Sequence, residues 1–316
     1  RDAQESRGLG DVYKRQLYIR PQQQPAGKHT ERRYFIMKGN VIVGQSGGPT
    51  AAINSSLAGV YRTAKDRGAN KVYGMLFGIQ GLLQERYIDL SEYITNDLDT
   101  ELLKRTPAAF LGSCRYKLPE IHENKDVYEK IFSILEKLDI EAFIYIGGND
   151  SMDTIKKLSD YAIVTGYRTR FIGCPKTIDN DLALTDHTPG YGSAAKYIGT
   201  SVKEIIRDSF CLEYGKGLVS IVEIMGRNAG WLTGAAALAK GEDCLGPDLI
   251  YLPELPFDIE AFSEKVKDLL AKKPSVVVAV SEGIRLADGR YVCELGQSVD
   301  FVDAFGHKQL SGTANY

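Results

Sequence analysis

Two short acidic clusters in the middle of the chain carry the side chains best suited to chemistry. Residues 147–151 (Gly-Gly-Asn-Asp-Ser) follow the apolar run 142–146, and residues 175–181 (Pro-Lys-Thr-Ile-Asp-Asn-Asp) follow the apolar run 171–174. Each run predicts a strand that ends in a polar loop, which is where open parallel sheets place their ligand sites. A glycine pair lets backbone N–H groups approach an anion, and carboxylates suit a metal ion or a proton transfer. Because phosphoryl transfer needs both, the two clusters together point to that reaction.

Strands and helices alternate along the chain around these clusters. Apolar runs predict strands at residues 41–44, 71–76, 142–146, 171–174, 218–224, 249–252 and 276–281. Amphipathic or small-residue stretches predict helices at residues 51–65, 126–138, 152–161, 231–240 and 259–271, and one that ends near residue 208. The helix after the first cluster is expected to take Asp150 or Ser151 as its N-cap. This alternation predicts an α/β fold, with a domain switch in the stretch 188–193.

The composition of the chain argues against several classes of protein. With 316 residues, 43% of them hydrophobic, the chain can bury one large core or two medium ones. The net charge of −2 gives no electrostatic support to a nucleic-acid partner. No apolar run approaches the roughly 18–20 residues that span a bilayer, and no signal-peptide pattern is visible. The five scattered cysteines lack CxxC spacing, which is typical of a reducing cytoplasm without disulfides or a zinc site.

Both ends of the chain differ from the regular pattern between them. Residues 1–36 carry eight Lys/Arg and four Asp/Glu without periodicity, and residues 11–16 can be encoded by a transposon-end adapter used in sequencing libraries. We therefore expect residues 1–36 to be a non-native or disordered segment and Met37 to be the true start. At the other end, the loop-like stretch 306–312 indicates that the natural chain continues beyond Tyr316 and is truncated here.

Seven short motifs occur in a fixed order from residue 37 to about residue 312: Gly47-Gly48, Gly112-Ser113-Cys114-Arg115, residues 147–151, residues 175–181, Met225-Gly226-Arg227, Ser281-Glu282-Gly283 and Gly306-His307. Together they resemble the phosphofructokinase family. One glycine pair would be weak evidence, whereas seven motifs in order are strong. The resemblance implies two Rossmann-like three-layer domains with mostly parallel sheets. A phosphoryl-donor domain would span residues 37–189 and a sugar-phosphate domain residues 190–308, with residues 309–316 a stub that returns to the first domain.

The family resemblance implies transfer of a phosphoryl group to the 1-hydroxyl of fructose 6-phosphate, with Mg²⁺. Asp179 resembles the base that takes the hydroxyl proton, a role suited to a carboxylate. Thr177 would offer its hydroxyl and backbone N–H to the transferring group. Asp181 would lie near the metal, with Asn149 and Asp150 as further candidate ligands.

The same resemblance assigns the sugar and phosphate contacts. Arg227 resembles the arginine that meets the transferring phosphate and the sugar, because its fixed charge and fork of donors offset charge on phosphate oxygens. Met225 and Gly226 would contact the sugar, Glu282 would bind its hydroxyls, and His307 would bind the 6-phosphate. The donor would be held by Gly47, Gly48, Arg115, Gly148, Asp150 and Lys176.

Two positions indicate which phosphoryl donor is used. In the ATP-dependent branch of the family both are glycine, whereas this chain has Asp150 and Lys176. A carboxylate in the path of a nucleotide's α-phosphate adds bulk and several kcal/mol of repulsion between like charges about 4 Å apart. An ammonium instead supplies countercharge for a short, highly charged donor. Both replacements favour pyrophosphate, and residues 49–51 also differ from the ATP-branch loop. Family resemblance then implies a reversible reaction.

Several alternatives remain open at this point. Asp150 could be an ordinary N-cap and Lys176 an ordinary solvated lysine, in which case an ATP-dependent 6-phosphofructokinase is the nearest alternative. A lipid or NAD kinase has no reason to carry the sugar motifs, and no GxGxxG follows a strand to support a dinucleotide-dependent oxidoreductase. An inactive phosphate-binding or regulatory relative is the alternative from a different class, although the candidate base Asp179 is present.

Some positions depart from the family pattern. Asn149 stands where an aspartate associated with magnesium is usual, and Leu218 and Phe301 stand where bacterial enzymes carry arginines that reach a neighbouring subunit. Leu310 also replaces an expected arginine. The 6-phosphate must therefore be bound differently, or by residues beyond Tyr316. The resemblance implies a homodimer or homotetramer without choosing between them.

Overall fold

The computed structural model describes residues 37–212 and 215–295. All of them belong to one of the two compact units of the chain, Ile36–Tyr316. Our predictions about residues 1–36, Phe301, His307, Leu310 and the stub at 309–316 lie outside the described residues.

The first half of the described chain is built on a five-stranded sheet in the order β3-β2-β1-β4-β5. All neighbouring strands are parallel except the pair β2 and β3. In the register of this sheet, Gln45 pairs with Ile146 and Gly147 pairs with Pro175. The two acidic clusters and the first glycine pair therefore leave the sheet at the same edge. The strands are β1 (Asn40–Gln45), β2 (Val72–Met75), β3 (Tyr87–Asp89), β4 (Ile140–Gly147) and β5 (Arg170–Pro175).

Helices cover both faces of this sheet. The side chains of a strand alternate between its faces, so the apolar side chains of these strands need a packing partner on each face. Ile42 and Phe143 pack into a cluster with side chains of α4 and α5, whereas Val41 and Val43 pack into a second cluster with α1 and α3. Strands buried on both faces are almost continuously apolar, as β1 and β4 are. The helices are α1 (Ile53–Asp66), α2 (Gly78–Leu82), α3 (Asp97–Arg105), α4 (Lys125–Lys137) and α5 (Asn149–Thr165).

The second half contains a smaller parallel sheet in the order β6-β8-β7. Its central strand β8 is buried from Val276 to Ser281, and one face packs against a cluster that includes Val202, Leu232 and Ala236. The observed architecture confirms the predicted α/β class with mostly parallel sheets, and the boundary that we placed at residue 189/190 stays a prediction. The elements are α6 (Tyr191–Phe210), β6 (Leu218–Ile224), α7 (Trp231–Gly234), β7 (Leu249–Tyr251), α8 (Ile259–Leu270) and β8 (Ser275–Ser281).

Two local predictions about helices were wrong. The N-cap of α5 is Gly148 rather than Asp150 or Ser151, which lie inside the first turn. The helix begins there because β4 ends at Gly147 and the chain turns directly into the helix. The helix expected at residues 231–240 is one α turn followed by a 3₁₀ turn, Ala235–Ala239. The sequence analysis also did not predict the short elements β3, α2 and α3. Within the described ranges, no helix combines the length and apolarity needed to cross a bilayer.

Candidate active site

The first glycine turn follows β1 and is fixed by a second loop. Gly47 has a φ of 74°, in the left-handed region that favours glycine. Its N–H donates to the carbonyl of Cys114 at 3.2 Å, and the Ser113 hydroxyl donates to the Gly47 carbonyl at 2.5 Å. The loop that carries the exposed Arg115 is therefore tied to this turn.

The second glycine turn joins β4 to α5. The N–H groups of Ser151 and Met152 donate to the carbonyl of Gly148 at 3.0 and 3.1 Å, and no side chain caps the helix. The uncapped first turn presents backbone N–H groups and the positive end of the helix dipole, which together suit an anion.

A buried pair of hydroxyls links the two glycine turns. Ser46 and Ser151 are both buried and hydrogen-bonded to each other. A Cβ on Gly147 would lie 2.0 Å from the Ser151 Oγ and 2.7 Å from the Ser46 Oγ, so only glycine fits there. The positioning role of these serines was not predicted, although Ser46 directly precedes the first glycine pair and Ser151 follows the second by three residues.

Lys176 lies between the two glycine turns. Its ammonium donates to the Gly48 carbonyl, and its backbone N–H donates to the Gly147 carbonyl at 3.0 Å. The residue is only 5% exposed. Burial lowers the pKa of Lys176, the nearby Arg115 lowers it further, and Asp179 opposes the shift. Among the described residues the Gly48 carbonyl is the ammonium's one hydrogen-bond acceptor, so two N–H donors remain for an anion.

Asp150 lies in the first turn of α5 and is half-buried. Its carboxylate forms no hydrogen bond or ion pair with any residue in the described ranges, although its backbone carbonyl accepts from the Thr154 hydroxyl at 3.0 Å. The sequence left open that Asp150 is an ordinary N-cap and Lys176 an ordinary solvated lysine. Neither alternative holds, because Asp150 lies inside the helix and Lys176 is buried.

Asp179 interacts electrostatically with residues of both halves of the site. Burial raises its pKa, the charges of Asp181 and Glu282 raise it further, and Lys176 and Arg227 oppose the shift. Its Oδ1 is buried and accepts no hydrogen bond from a described residue. A buried carboxylate oxygen with a raised pKa is suited to take a proton from a hydroxyl.

The loop after β6 is held by residues at the end of β8. The N–H of Gly226, whose φ is 136°, donates to a Glu282 carboxylate oxygen at 3.1 Å, and the Ser281 hydroxyl donates to the Gly226 carbonyl at 2.7 Å. A Cβ on Gly283 would lie 2.0 Å from the Arg227 carbonyl oxygen. The loop and the β8 end therefore pack backbone to backbone, while the Met225 side chain is 59% exposed.

The structure thus brings several of the predicted site residues together around Asp179. Asp179 interacts electrostatically with Lys176 beside the glycine turns and with Arg227 and Glu282 on the other side. Thr177 is linked to the base directly, because its Oγ1 accepts from the Asp179 N–H at 3.1 Å. The predicted position of His307 lies outside the described residues.

The candidate metal ligands Asp181, Asn149 and Asp150 lie at the ends of the neighbouring strands β4 and β5. Within the described part of the chain, no group of three or more His, Cys, Asp or Glu side chains could hold a metal. Mg²⁺ commonly uses only one or two carboxylates and takes its other ligands from waters and substrate phosphates. The oxygen ligands present therefore fit a magnesium ion that arrives with a phosphorylated donor.

Comparison with known proteins decides the family of the chain. The family model described as Phosphofructokinase matches residues 40–316. The chain belongs to the phosphofructokinase family. The resemblance inferred from the seven motifs is thereby confirmed.

Individual phosphofructokinase relatives agree with this assignment. The chain is 44% identical over 281 residues to pyrophosphate–fructose 6-phosphate 1-phosphotransferase of Xanthomonas campestris pv. campestris (strain B100), covering 89% of this chain and 66% of the relative. The protein of that name from Rhodospirillum rubrum is 42% identical, with 88% and 66% covered. The crystal structure of pyrophosphate-dependent phosphofructokinase from Nitrosospira multiformis has a TM-score of 0.71 and 38% identity, with 79% of this chain and 62% of that chain covered. The chain thus spans just under two thirds of the length of these relatives.

Proposed function

We propose that this protein transfers a phosphoryl group from pyrophosphate to the 1-hydroxyl of fructose 6-phosphate, giving fructose 1,6-bisphosphate, in a reversible reaction. The observation that carries the proposal is the buried ammonium of Lys176 between the two glycine turns. Four relatives between 41% and 44% identical bear the name of that phosphotransferase, which supports the same donor and acceptor.

Pyrophosphate is held at the edge of the first sheet. Gly47, Gly48 and Gly148 let the donor approach the backbone, and the N-terminus of α5 contributes its partial positive charge. Lys176 and Arg115 supply positive charge, and the low dielectric around the buried Lys176 strengthens the attraction of its ammonium for an anion.

Asp150 supports pyrophosphate over ATP. The carboxylate stands in the first turn of α5 and makes no bond to a described residue that would hold it away from the site. A nucleotide whose α-phosphate passes there would meet a like charge, whereas pyrophosphate ends before it.

The transfer step uses Asp179, Thr177 and Arg227. Asp179 accepts the proton of the 1-hydroxyl as the oxygen bonds to the phosphorus atom, while the bridging P–O bond of pyrophosphate breaks and orthophosphate leaves. Thr177 offers its hydroxyl and backbone N–H to the transferring group, and Arg227 offsets charge on its oxygens. The electrostatic interaction of Asp179 with Arg227 supports their joint action.

The sugar lies against the loop after β6. Met225, Gly226 and Arg227 contact it, and Glu282, whose carboxylate accepts from the Gly226 N–H, binds its hydroxyls. His307 binds the 6-phosphate in this proposal, on the strength of the family motif alone.

Mg²⁺ is the expected metal, held by Asp181 with Asp150 and Asn149, where it would neutralise the charge of the donor's phosphates. Family resemblance also supports a cytoplasmic homodimer or homotetramer.

The proposal is tested by incubating the purified protein with Mg²⁺, pyrophosphate and a panel of sugar phosphates, and by detecting the products with phosphorus NMR. We expect fructose 1,6-bisphosphate from fructose 6-phosphate, and fructose 6-phosphate plus pyrophosphate from fructose 1,6-bisphosphate and orthophosphate. A one-way reaction rejects reversibility. Phosphate binding without turnover by any donor supports the inactive relative.

A further inference from the structure

Asn180 lies between the two aspartates of the second acidic cluster and has an unusual backbone. Its φ of 56° places it in the left-handed region, which asparagine tolerates better than most residues. It is only 6% exposed. The two aspartates on either side of this left-handed residue differ in exposure, since Asp179 is half-buried and Asp181 is exposed.

The side-chain amide of Asn180 closes the loop that follows it. Its Nδ2 donates to the Asp186 carbonyl at 3.1 Å, and its Oδ1 accepts from the Thr188 N–H at 2.9 Å. Thr188 is 3% exposed, and its hydroxyl donates to the Thr177 carbonyl at 2.8 Å. We name this set of bonds between Asn180, Asp186, Thr188 and Thr177 the Asn180 clasp.

We propose that Asn180 is a positioning residue for the transfer step, acting through the clasp on Asp179. The Oδ1 of Asp179 accepts no hydrogen bond from a described residue, so no hydrogen bond to this oxygen fixes the carboxylate. The position of Asp179 is set instead by the backbone around it. Thr177, which the clasp holds, precedes Asp179 by two residues, and Asn180 follows it directly. This inference rests on the proposed function, because it assigns the clasp to the base of that reaction.

The test compares two glycine substitutions in the same loop. Asn180→Gly keeps the left-handed backbone conformation accessible and removes both hydrogen bonds of the side-chain amide. Leu184→Gly is the matched control, since Leu184 also has a left-handed φ, of 58°, and is fully exposed. Both variants gain the same backbone freedom, and only the first loses the clasp.

We expect Asn180→Gly to lower kcat about 10- to 100-fold, because small displacements of a reacting group are costly. The KM values for donor and sugar should stay within about twofold, since most of the proposed binding groups, on the glycine turns, Lys176 and the loop after β6, are not members of the clasp. Leu184→Gly should match the unsubstituted protein. The Thr188 amide should exchange with deuterium about tenfold faster in Asn180→Gly, because its acceptor is gone.

Three results would overturn the inference: an unchanged kcat in Asn180→Gly, a loss matched by Leu184→Gly, or a loss fully explained by the unfolded fraction in a melting curve. The assays use whichever donor the unsubstituted protein accepts, so use of ATP alone contradicts the proposed donor and still tests the clasp. If the unsubstituted protein turns over neither donor, the proposed function fails. Equal Thr188 exchange rates in the two proteins would then reject the clasp separately.

Discussion

The donor side and the sugar side of the site are built in different ways. On the donor side, side chains make the links, because Lys176 and the Ser46–Ser151 pair join the glycine turns and all three are buried. On the sugar side, Glu282 and Ser281 bind the Gly226 backbone, and the two segments also pack backbone against backbone where Arg227 meets Gly283.

This difference indicates which kind of ligand each side of the site selects. A buried cation with spare donors favours a compact, highly charged ligand, and the donor side meets that description. On the sugar side Met225 is exposed and Arg227 is only partly buried, which leaves that side open to a larger ligand. Asp179 interacts with both sides and is the element that they share.

The largest expected effect comes from removing the shared carboxylate. Asp179→Asn should lower kcat by about 100- to 10,000-fold, because the amide cannot accept the proton of the attacking hydroxyl. The KM values for both substrates should change little, since neither binding side is altered. Steady-state kinetics check this, and activity within tenfold of the unsubstituted protein would remove Asp179 from the proposed role.

The melting temperature of the same variant shows whether the loss is chemical. Burial holds the folded pKa of Asp179 above its unfolded value, so the ionised carboxylate destabilises the fold at any pH above that unfolded value. Asp179→Asn removes this cost and should melt at or above the unsubstituted protein at pH 7. The difference should fade below about pH 4, where the carboxyl is protonated in both states.

The next effect separates the two sides. Lys176→Met keeps the length of the side chain and removes its charge, and kcat/KM for pyrophosphate should fall about 100-fold, since a buried charge-assisted contact is lost. The KM for fructose 6-phosphate should stay within about twofold. Lys203→Met is the control, because Lys203 is partly exposed and paired with Asp243 at 2.6 Å. Equal effects on both substrates would contradict a separate donor side.

A smaller effect is expected from the sugar side. Gly283→Ala places a Cβ 2.0 Å from the Arg227 carbonyl oxygen, so the loop 225–230 must move. The KM for fructose 6-phosphate should rise about tenfold, with about 1–3 kcal/mol lost in the free energy of unfolding. Gly234→Ala, which has open space and a helical φ of −61°, should leave the kinetics unchanged. A selective rise in the KM for pyrophosphate would reverse the assignment of the two sides.

Much of the fold could be predicted because its strands are short apolar runs, and those of β1, β4 and β8 are mostly buried. The strand expected at residues 218–224 has those bounds in the structure. The three-residue β3 and five-residue α2 are too short for a periodic pattern, and they escaped prediction. The N-cap of α5 was misassigned because residue preference favoured Asp150 or Ser151, whereas the end of β4 fixed the helix start at Gly148.

The candidate site could be predicted as positions but not as contacts. The motifs named Lys176, yet lysine is ordinarily exposed, so its burial against the Gly48 carbonyl could be read only from the structure. The Asn180 clasp joins residues up to eleven positions apart through a left-handed turn, and a linear pattern does not encode such closure.

Donor preference tests the central claim most directly. The purified protein is assayed with fructose 6-phosphate and Mg²⁺, and kcat/KM is measured for pyrophosphate and for ATP under identical conditions. The account predicts turnover with pyrophosphate at least about 100-fold more efficient than with ATP, and a ratio that falls in the double variant Asp150→Gly with Lys176→Gly. Efficient use of ATP by a protein that ignores pyrophosphate would contradict it.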